Sequence, residues 1–274
     1  MSFRLANRSG EAVLLDGDDF WATGTEPMSA LARREELHEQ WANRGRPDGQ
    51  VTMAELGPPV PTPLQVFGYG LNYRDHIEEI DRDDPLGAAA GEAPVVFTKF
   101  PTCLVGPAAS VQLVGDRCDY ECELVVVIGV ETRNIDERQA WDRVAGLMIG
   151  QDISDRALQG AASPPQFSLG KSRSTFGPTG PALVSPDLVP DPDDLAISCR
   201  VNGEVRQDSR TSLLLRPVAE MVAYLSSILT LHPGDLVFTG TPGGVGHGQG
   251  IYLQPGDRIT SEIEGLGTLE NTCV

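Results

Sequence analysis

Two glutamates stand one residue apart in the stretch DYECELVVVIG, where Glu121 and Glu123 precede five apolar residues. On a β-strand, residues i and i+2 point to the same side about 6.5–7 Å apart, so these carboxylates would share one environment. Like charges repel strongly where water is scarce, unless a cation neutralises them or one of them stays protonated. The pair therefore indicates a divalent cation site, although an edge strand with a solvated acidic face has the same pattern.

Asp152 is a candidate third ligand, because it follows the apolar run GLMIG where a strand pattern ends and a helical pattern begins. Three oxygen ligands without Cys or His are typical of Mg²⁺ or Mn²⁺, with Ca²⁺ as an alternative. A helix that starts near Asp152 would place Arg156 and Gln159 on the same face, suited to a bidentate grip on a substrate carboxylate. A surface ion pair between Asp152 and Arg156 explains the same spacing.

His76 and Glu79 form a candidate acid–base pair in GLNYRDHIEE, where they stand three residues apart. On a helical turn, this spacing lets the carboxylate orient the imidazole and stabilise its charge as a general base. An ordinary histidine–acid pair on a helix surface has the same spacing. The acidic, Gly- and Ala-rich segment that follows, DRDDPLGAAAGEAP, is interpreted either as a lid that orders over a ligand or as a slack surface loop.

Two glycine-containing stretches look like nucleotide-binding motifs but lack required parts. Gly170-Lys171-Ser172 has Pro165 where a phosphate-binding loop needs its first glycine. The run TGTPGGVGHGQG (239–250) follows a strand pattern, but no helical pattern or ribose-binding acid follows it. We interpret it as a turn that brings backbone close to a ligand, with Thr241 as a polar contact.

The surrounding elements predict an α+β, strand-rich fold. Residues 1–56 combine short alternating stretches with a helical pattern at MSALARREELHEQWA, and GPPVPTPLQ then places four prolines in nine residues. This predicts a small N-terminal α+β domain over 1–62 and a catalytic domain over 63–274. In the second part, short β-branched runs outnumber the helical patterns, chiefly DERQAWDRVAG and RPVAEMVAYLSSIL.

The composition excludes several classes of partner. The chain has 274 residues with 21 Lys plus Arg against 39 Asp plus Glu, a net charge of −18 that repels nucleic acids and anionic membranes. The stretch MSFRLANRSG lacks an apolar signal core, and no apolar run approaches the roughly 20 residues of a membrane span. A soluble, cytoplasmic protein is expected. Five cysteines without a CxxC pair predict buried reduced thiols.

Six stretches in order resemble the signature of the fumarylacetoacetate hydrolase family: GLNYRDHIEE, DYECELVVVIG, QDISDRALQ, GKSRSTFGPTGP, VNGEVRQDSRTS and PGDLVFTGTPGGVG. The resemblance covers residues 65 to 270 or so. It implies mixed β-sheets rolled around a buried site, usually in a homodimer. By the same resemblance, Mg²⁺ or Mn²⁺ would lie on Glu121, Glu123 and Asp152, and a water-activating dyad would be His76 and Glu79. It also implies substrate contacts from Lys171, Arg156, Gln159 and Thr241.

The reaction implied by this resemblance is metal-dependent hydrolysis of a carbon–carbon bond in a 1,3-diketo acid, such as an acylpyruvate or a ring-cleavage product of aromatic catabolism. The products would be a 2-oxo acid and a second acid. Alternatives on the same scaffold are an oxaloacetate decarboxylase, a 2-oxo acid hydratase or isomerase, and a metal-holding protein without turnover. The metal, dyad and lysine positions match the family, whereas the departures from its commonest pattern, which concern the substrate, are Cys122, Gln151, Ser174 and Arg210.

Overall fold

The computed structural model describes residues 1–79 and 93–274 of the chain. Strands predominate in this part, which confirms the predicted strand-rich α+β class. The strands are β1 (Arg4–Arg8), β2 (Glu11–Asp16), β3 (Asp19–Ala22), β4 (Gly49–Gln50), β5 (Leu56–Gly57), β6 (Val66–Gly70), β7 (Val95–Thr98), β8 (Leu104–Val105), β9 (Cys118–Asp119), β10 (Cys122–Ile128), β11 (Val144–Gln151), β12 (Ser154–Asp155), β13 (Gly177–Val184), β14 (Ala196–Val201), β15 (Glu204–Arg210), β16 (Leu236–Phe238), β17 (Arg258–Ile263) and β18 (Gly267–Thr272). The helices are α1 (Pro27–Ala32), α2 (Arg34–Ala42), α3 (Arg74–Glu79), α4 (Arg156–Gln159), α5 (Val218–Ile228) and α6 (Gly246–Gln249). No helix in the described part combines the length and apolar character of a membrane span.

A large mixed sheet dominates the molecule, with the strand order β4-β3-β2-β1-β13-β11-β10-β16-β6-β7. Most neighbours are antiparallel, but β16 and β6 run parallel. A second antiparallel sheet has the order β15-β14-β17-β18. The N-terminal strands continue the large sheet, because β1 pairs with β13 and places Leu5 opposite Leu183. The domain boundary near residue 62 stays a prediction.

The centre of the large sheet is its most buried part. Every residue of β10 and β11 is buried, which explains why both strands read as continuous apolar runs and do not alternate. Each fully buried Val, Leu or Ile side chain contributes about 1.5–3 kcal/mol by leaving water. The two strands pair antiparallel, with Cys122 opposite Gln151 and Glu123 opposite Gly150. This rigid pair therefore fixes the positions of the charged groups at its end.

The helical patterns of the sequence are confirmed in part. RPVAEMVAYLSSIL contains α5, and the N-terminal pattern divides into α1 and α2 at Arg33. The helix expected in DERQAWDRVAG is wrong, since two 3₁₀ turns, Glu137–Gln139 and Trp141–Arg143, lead directly into β11. Asp136 caps the first turn, and the apolar residues from Val144 onward gain more from burial between two strands than from a continued helix.

All five cysteines are free and buried, which confirms the prediction of buried reduced thiols. Burial raises the pKa of each thiol, and it brings the pKa of Cys199 and of Cys273 to about 12. The thiolate is the reactive form of cysteine, so neither access nor ionisation favours modification of these side chains.

We therefore expect the native protein to resist alkylation by iodoacetamide at pH 8, because burial both excludes the reagent and suppresses the thiolate. Intact mass spectrometry after a timed incubation would measure the modification. The same incubation in concentrated guanidinium chloride should label all five cysteines. Rapid labelling of any of them in the native protein would contradict the buried packing described above.

Candidate metal centre and active site

Three buried carboxylates meet where β10 and β11 come together. Glu121 directly precedes β10, Glu123 is the second residue of that strand, and Asp152 follows directly after the last residue of β11. The Asp152 backbone N–H donates to the Glu121 carbonyl at 2.9 Å, which continues the pairing of the two strands. Carboxylate oxygens of the three residues all lie within 4.8 Å of one another. The antiparallel register therefore brings together acids that are far apart in the chain.

Two lysines insert ammonium groups among these acids. Lys171 Nζ donates to Asp152 Oδ2 at 2.7 Å and also contacts Glu121 Oε2. Lys99 Nζ donates to Asp152 Oδ1 at 2.6 Å and to the Phe176 carbonyl at 3.0 Å. Lys99 is not among the predicted site residues, although a lysine at the end of the apolar run VVFTKF is a signal. Lys99 follows β7 and is itself buried, and a buried lysine is rarely found without a charged partner.

Neighbouring positive charges compensate the three carboxylates to different degrees. Burial alone would raise the pKa of Glu121, but the positive charges of Lys171 and Arg156 outweigh it and lower that pKa to about 2. For Glu123, burial together with the carboxylates of Asp152 and Glu121 raises the pKa well above its usual value. Glu123 receives a hydrogen bond from the Gly240 backbone N–H at 2.8 Å. Its negative charge is thus the least compensated of the three.

This donor set fits a divalent cation. The three candidate ligands are oxygen atoms of carboxylates, which are the ligands that Mg²⁺ and Mn²⁺ prefer. A cation held between them would oppose both the burial and the carboxylate repulsion that raise the pKa of Glu123. The acidic cluster can therefore hold a metal ion.

Arg156 binds Asp119 and Glu121, and not Asp152 as its spacing suggested. Helix α4 begins at Arg156 itself, where Asp155 caps it by accepting from the Leu158 N–H at 3.0 Å. The guanidinium donates to Asp119 Oδ2 from Nε at 2.9 Å and from Nη2 at 2.7 Å, and Nη2 also donates to Glu121 Oε1 at 2.5 Å. A helix starting near Asp152 and a surface pair between Asp152 and Arg156 are both wrong, because the chain is still extended until Asp155.

The guanidinium has little capacity left for a ligand. Nη1 of Arg156 donates to Gln159 Oε1 at 3.2 Å, so four of its five N–H groups already have partners in Asp119, Glu121 and Gln159. The bidentate grip on a substrate carboxylate that the spacing suggested would require breaking one of these bonds. Gln159 keeps a buried side-chain amide nitrogen, Nε2, without a hydrogen-bond partner among the described residues.

His76 and Glu79 lie together on α3, with His76 Nδ1 and Glu79 Oε2 3.8 Å apart. The other carboxylate oxygen of Glu79 accepts from the Gly244 backbone N–H at 2.6 Å, which holds the acid in place. His76 Nδ1 has no hydrogen-bond partner in the described part of the chain. Residues 81–92, most of the segment interpreted as a lid or slack loop, lie outside the described residues.

The glycine-rich stretch 239–250 holds two acids of the site through its backbone. Gly240 N–H donates to Glu123, and Gly244 N–H donates to Glu79. Gly240 and Gly244 have φ angles of +98° and +100°, which residues other than glycine rarely adopt. A Cβ atom on Gly244 would lie 1.8 Å from the Arg206 carbonyl oxygen. Thr241, between them, donates to the Cys122 carbonyl at 2.9 Å and accepts from Gln207 Nε2 at 2.7 Å. The turn therefore forms one wall of the site.

A cavity of about 280 Å³ opens onto these groups. Its polar lining comprises His76, Glu79, Glu121, Glu123, Arg156, Lys171, Thr241 and His247. Its apolar lining includes Tyr69, Leu71, Phe97, Phe167 and Val245. The volume suits a small molecule, and the concentration of buried cations beside a candidate metal site suits an anionic one.

The comparisons with known proteins identify the family. The family model described as fumarylacetoacetate (FAA) hydrolase C-terminal matches residues 65–274, so this chain belongs to the fumarylacetoacetate hydrolase family. The fold agrees, since a crystal structure titled as a putative HpcE protein from Mycobacterium smegmatis has a TM-score of 0.91 and 42% identity and covers 99% of each chain.

Two further relatives are named as enzymes. The chain is 40% identical over 220 residues to "Oxaloacetate tautomerase FAHD2A, mitochondrial" from Bos taurus, which covers 79% of this chain and 68% of that protein. It is 27% identical, with a TM-score of 0.80, to the maleylpyruvate hydrolase from Sphingobium sp. SYK-6, over 99% of this chain and 98% of the other. That structure is a complex with a manganese(II) ion and pyruvate.

Proposed function

We propose that this protein is a Mg²⁺- or Mn²⁺-dependent enzyme that moves a proton between C3 and the C2 oxygen of a small 2-oxo acid, with oxaloacetate as the first substrate to test. The observation that carries the proposal is the convergence of Glu121 and Glu123 of the acidic triad, the Lys171 ammonium and the His76 imidazole on one cavity. The tautomerase relatives at about 40% identity support the choice of reaction.

The cation would be held by Glu121, Glu123 and Asp152, and when bound it would polarise the 2-oxo group of the substrate. Lys171 supplies a second positive charge at the same place. Although burial lowers the pKa of this amine, the carboxylates of Asp152 and Glu121 outweigh it and raise the pKa, so the side chain stays an ammonium. A preorganised ammonium stabilises negative charge on the C2 oxygen more than on the neutral ketone.

His76 is the proposed base. It takes a proton from C3, the electrons of that C–H bond form the C2–C3 double bond, and the proton then returns to the C2 oxygen to give the enol. The reverse sequence gives the ketone. Glu79, 3.8 Å from His76 Nδ1, stabilises the imidazolium that forms in between. Arg156 offers its remaining N–H to a substrate carboxylate, and the apolar wall of Phe97 and Phe167 limits water around the reacting carbons.

A second candidate is the carbon–carbon hydrolysis that the sequence analysis favoured. The His76–Glu79 pair supports it, because the same base can remove a proton from water. The hydroxide oxygen would then bond to the distal carbonyl of a 1,3-diketo acid, and the C3–C4 bond would break. C3 would take up a proton to complete the 2-oxo acid. The manganese- and pyruvate-containing hydrolase is the relative that favours this alternative.

One experiment separates the two candidates. Mn²⁺-loaded protein would be mixed with enol-oxaloacetate in D₂O, and absorbance would follow loss of the enol while NMR follows deuterium at C3. Parallel reactions would measure pyruvate release from oxaloacetate and from an acylpyruvate. Accelerated ketonisation with little pyruvate supports the tautomerase. Cleavage of the acylpyruvate as the dominant reaction transfers the assignment to the hydrolase, and pyruvate from oxaloacetate alone indicates decarboxylation.

We expect His76→Ala and Glu79→Gln to lower both ketonisation and acylpyruvate cleavage by about 10²–10⁴-fold, because each reaction needs the base. Any oxaloacetate decarboxylation should fall much less, since loss of CO₂ requires no proton abstraction. Mn²⁺ affinity should be unchanged, because neither side chain belongs to the triad. Steady-state kinetics and calorimetric Mn²⁺ titration would measure these effects.

His232→Ala is a matched control, since His232 and Glu131 form another histidine–glutamate pair, 3.9 Å apart, that does not line the cavity. This variant should behave as the wild type. Wild-type ketonisation and cleavage rates in both dyad variants would make His76 and Glu79 an ordinary surface pair.

A further inference from the structure

The buried carboxylate of Asp119 accepts hydrogen bonds from two sides of the cavity. Asp119 is fully buried at the end of β9, opposite Ser154 of β12. Its Oδ2 accepts from Arg156 at 2.7 and 2.9 Å and from the His247 backbone N–H at 3.0 Å. Its Oδ1 accepts from the backbone N–H groups of Tyr120 at 2.9 Å and Gly246 at 2.8 Å. One carboxylate therefore joins the arginine to the glycine-rich wall.

The orientation of the Arg156 guanidinium depends on this contact. Asp119 occupies Nε and one N–H of Nη2, which leaves a single N–H of Nη2 for Glu121 Oε1. Without Asp119, the guanidinium could turn and bind both oxygens of Glu121, the preferred geometry of an arginine–carboxylate pair. It would then compete with the cation for Glu121 and withdraw its remaining N–H from the cavity.

We infer that Asp119 is a positioning residue, which fixes Arg156 so that one N–H stays available for the substrate carboxylate while Glu121 keeps its place in the triad. This inference rests on the proposed function, because it assigns Arg156 to the substrate. Asp119 itself does not line the cavity, so it acts on the substrate through Arg156, while its bonds to the Gly246 and His247 backbone anchor the carboxylate.

Asparagine cannot substitute for Asp119. Every group that faces its two oxygens is a donor: two N–H groups of Arg156 and the backbone N–H groups of Tyr120, Gly246 and His247. The NH₂ group of asparagine would replace one of the two oxygens, so that this donor would face the N–H donors on that side. The isosteric change thus removes either the bonds of Oδ2 with Arg156 and His247 or those of Oδ1 with Tyr120 and Gly246, although the side chain keeps its size.

The test is a double-mutant cycle on Mn²⁺-loaded protein, with oxalate as a planar mimic of an enolised 2-oxo acid. Asp119→Ala should weaken oxalate binding and raise KM for oxaloacetate by about 10–100-fold, with a smaller change in kcat, and Asp119→Asn, which loses only one set of contacts, should weaken oxalate binding less. In an Arg156→Met background, Asp119→Ala should change the oxalate dissociation constant by less than about twofold, because the residue through which it acts is gone.

Asp235→Asn is the matched control. Asp235 is also a buried carboxylate that accepts from donors, namely the Gln65 backbone at 2.9 Å, Gln65 Nε2 at 2.6 Å and the His232 backbone at 2.7 Å, and it does not line the cavity. This variant should lower the melting temperature and leave oxalate binding unchanged.

The outcomes separate the inference from the proposed function. The effects of the two substitutions on oxalate binding can be non-additive in a protein that turns over neither oxaloacetate nor an acylpyruvate. That result would support the role of Asp119 and overturn the proposed function. Unchanged oxalate binding in Asp119→Ala, or an equal effect of that change in the Arg156→Met background, would overturn the inference.

Discussion

Removal of divalent metal is expected to abolish turnover, and Mg²⁺ or Mn²⁺ is expected to restore it. Without a cation, Glu123 lies beside two further carboxylates with little compensation, and no ion polarises the 2-oxo group of the substrate. Activity would be measured after treatment with a chelator and dialysis, with metal content determined by elemental analysis, and then again after each ion is added back. Full turnover in excess chelator, with no bound metal, would contradict the proposed centre.

Glu123→Gln tests the same centre without a chelator. The amide keeps the size of the side chain and an oxygen ligand but removes one negative charge, so Mn²⁺ affinity should fall by at least about tenfold. The protein should not lose stability in the metal-free state, because burial and the neighbouring carboxylates, which raise the pKa of Glu123, already disfavour its charged form. Asp235→Asn, a buried carboxylate outside the cluster, should leave Mn²⁺ affinity unchanged. Calorimetric titration and thermal unfolding would measure the two quantities.

The acidic cluster could be predicted because it follows from local rules. Alternation along a strand places Glu121 and Glu123 on one side, and Asp152 ends the next apolar run. An antiparallel pair of such strands brings their ends together, as Cys122 opposite Gln151 shows. The strand-rich class could be predicted as well, because β-branched runs bounded by turn residues usually form strands.

The partners of the charged groups could not be predicted in the same way. Arg156 binds Asp119, 37 positions away, and Lys99 binds Asp152, 53 positions away. Helical spacing paired Arg156 with Asp152, but the chain stays extended through β12 and the β9–β12 pairing brings Asp119 to the arginine. Such partnerships depend on which strands pair, and a residue pattern records that only indirectly. Lys99 carried a signal, yet its acceptors, Asp152 and the carbonyls of Lys171 and Phe176, lie 53 to 77 positions away.

Lys171→Met is expected to lower kcat/KM by about two to three orders of magnitude, because one preorganised charge at a developing enolate is worth roughly 3–4 kcal/mol. Lys171 lines the cavity and contacts both Glu121 and Asp152, so its ammonium lies where negative charge would form on the substrate. Mn²⁺ affinity should not fall, since the change removes a competing cation from two of the three ligands. Steady-state kinetics and calorimetric Mn²⁺ titration would measure both quantities.

Lys99→Met shows whether that effect belongs to catalysis or to packing. Lys99 also binds Asp152, but it does not line the cavity and its ammonium also donates to the Phe176 carbonyl. Removing one member of a buried ion pair costs about 3–5 kcal/mol, so this variant should lose stability to thermal unfolding, and Asp152 should hold its position less firmly. If Lys171→Met keeps wild-type kcat/KM while Lys99→Met loses stability, both lysines are structural counter-ions of the triad. A large loss of kcat/KM in Lys171→Met, with the metal still bound, assigns Lys171 to the reaction.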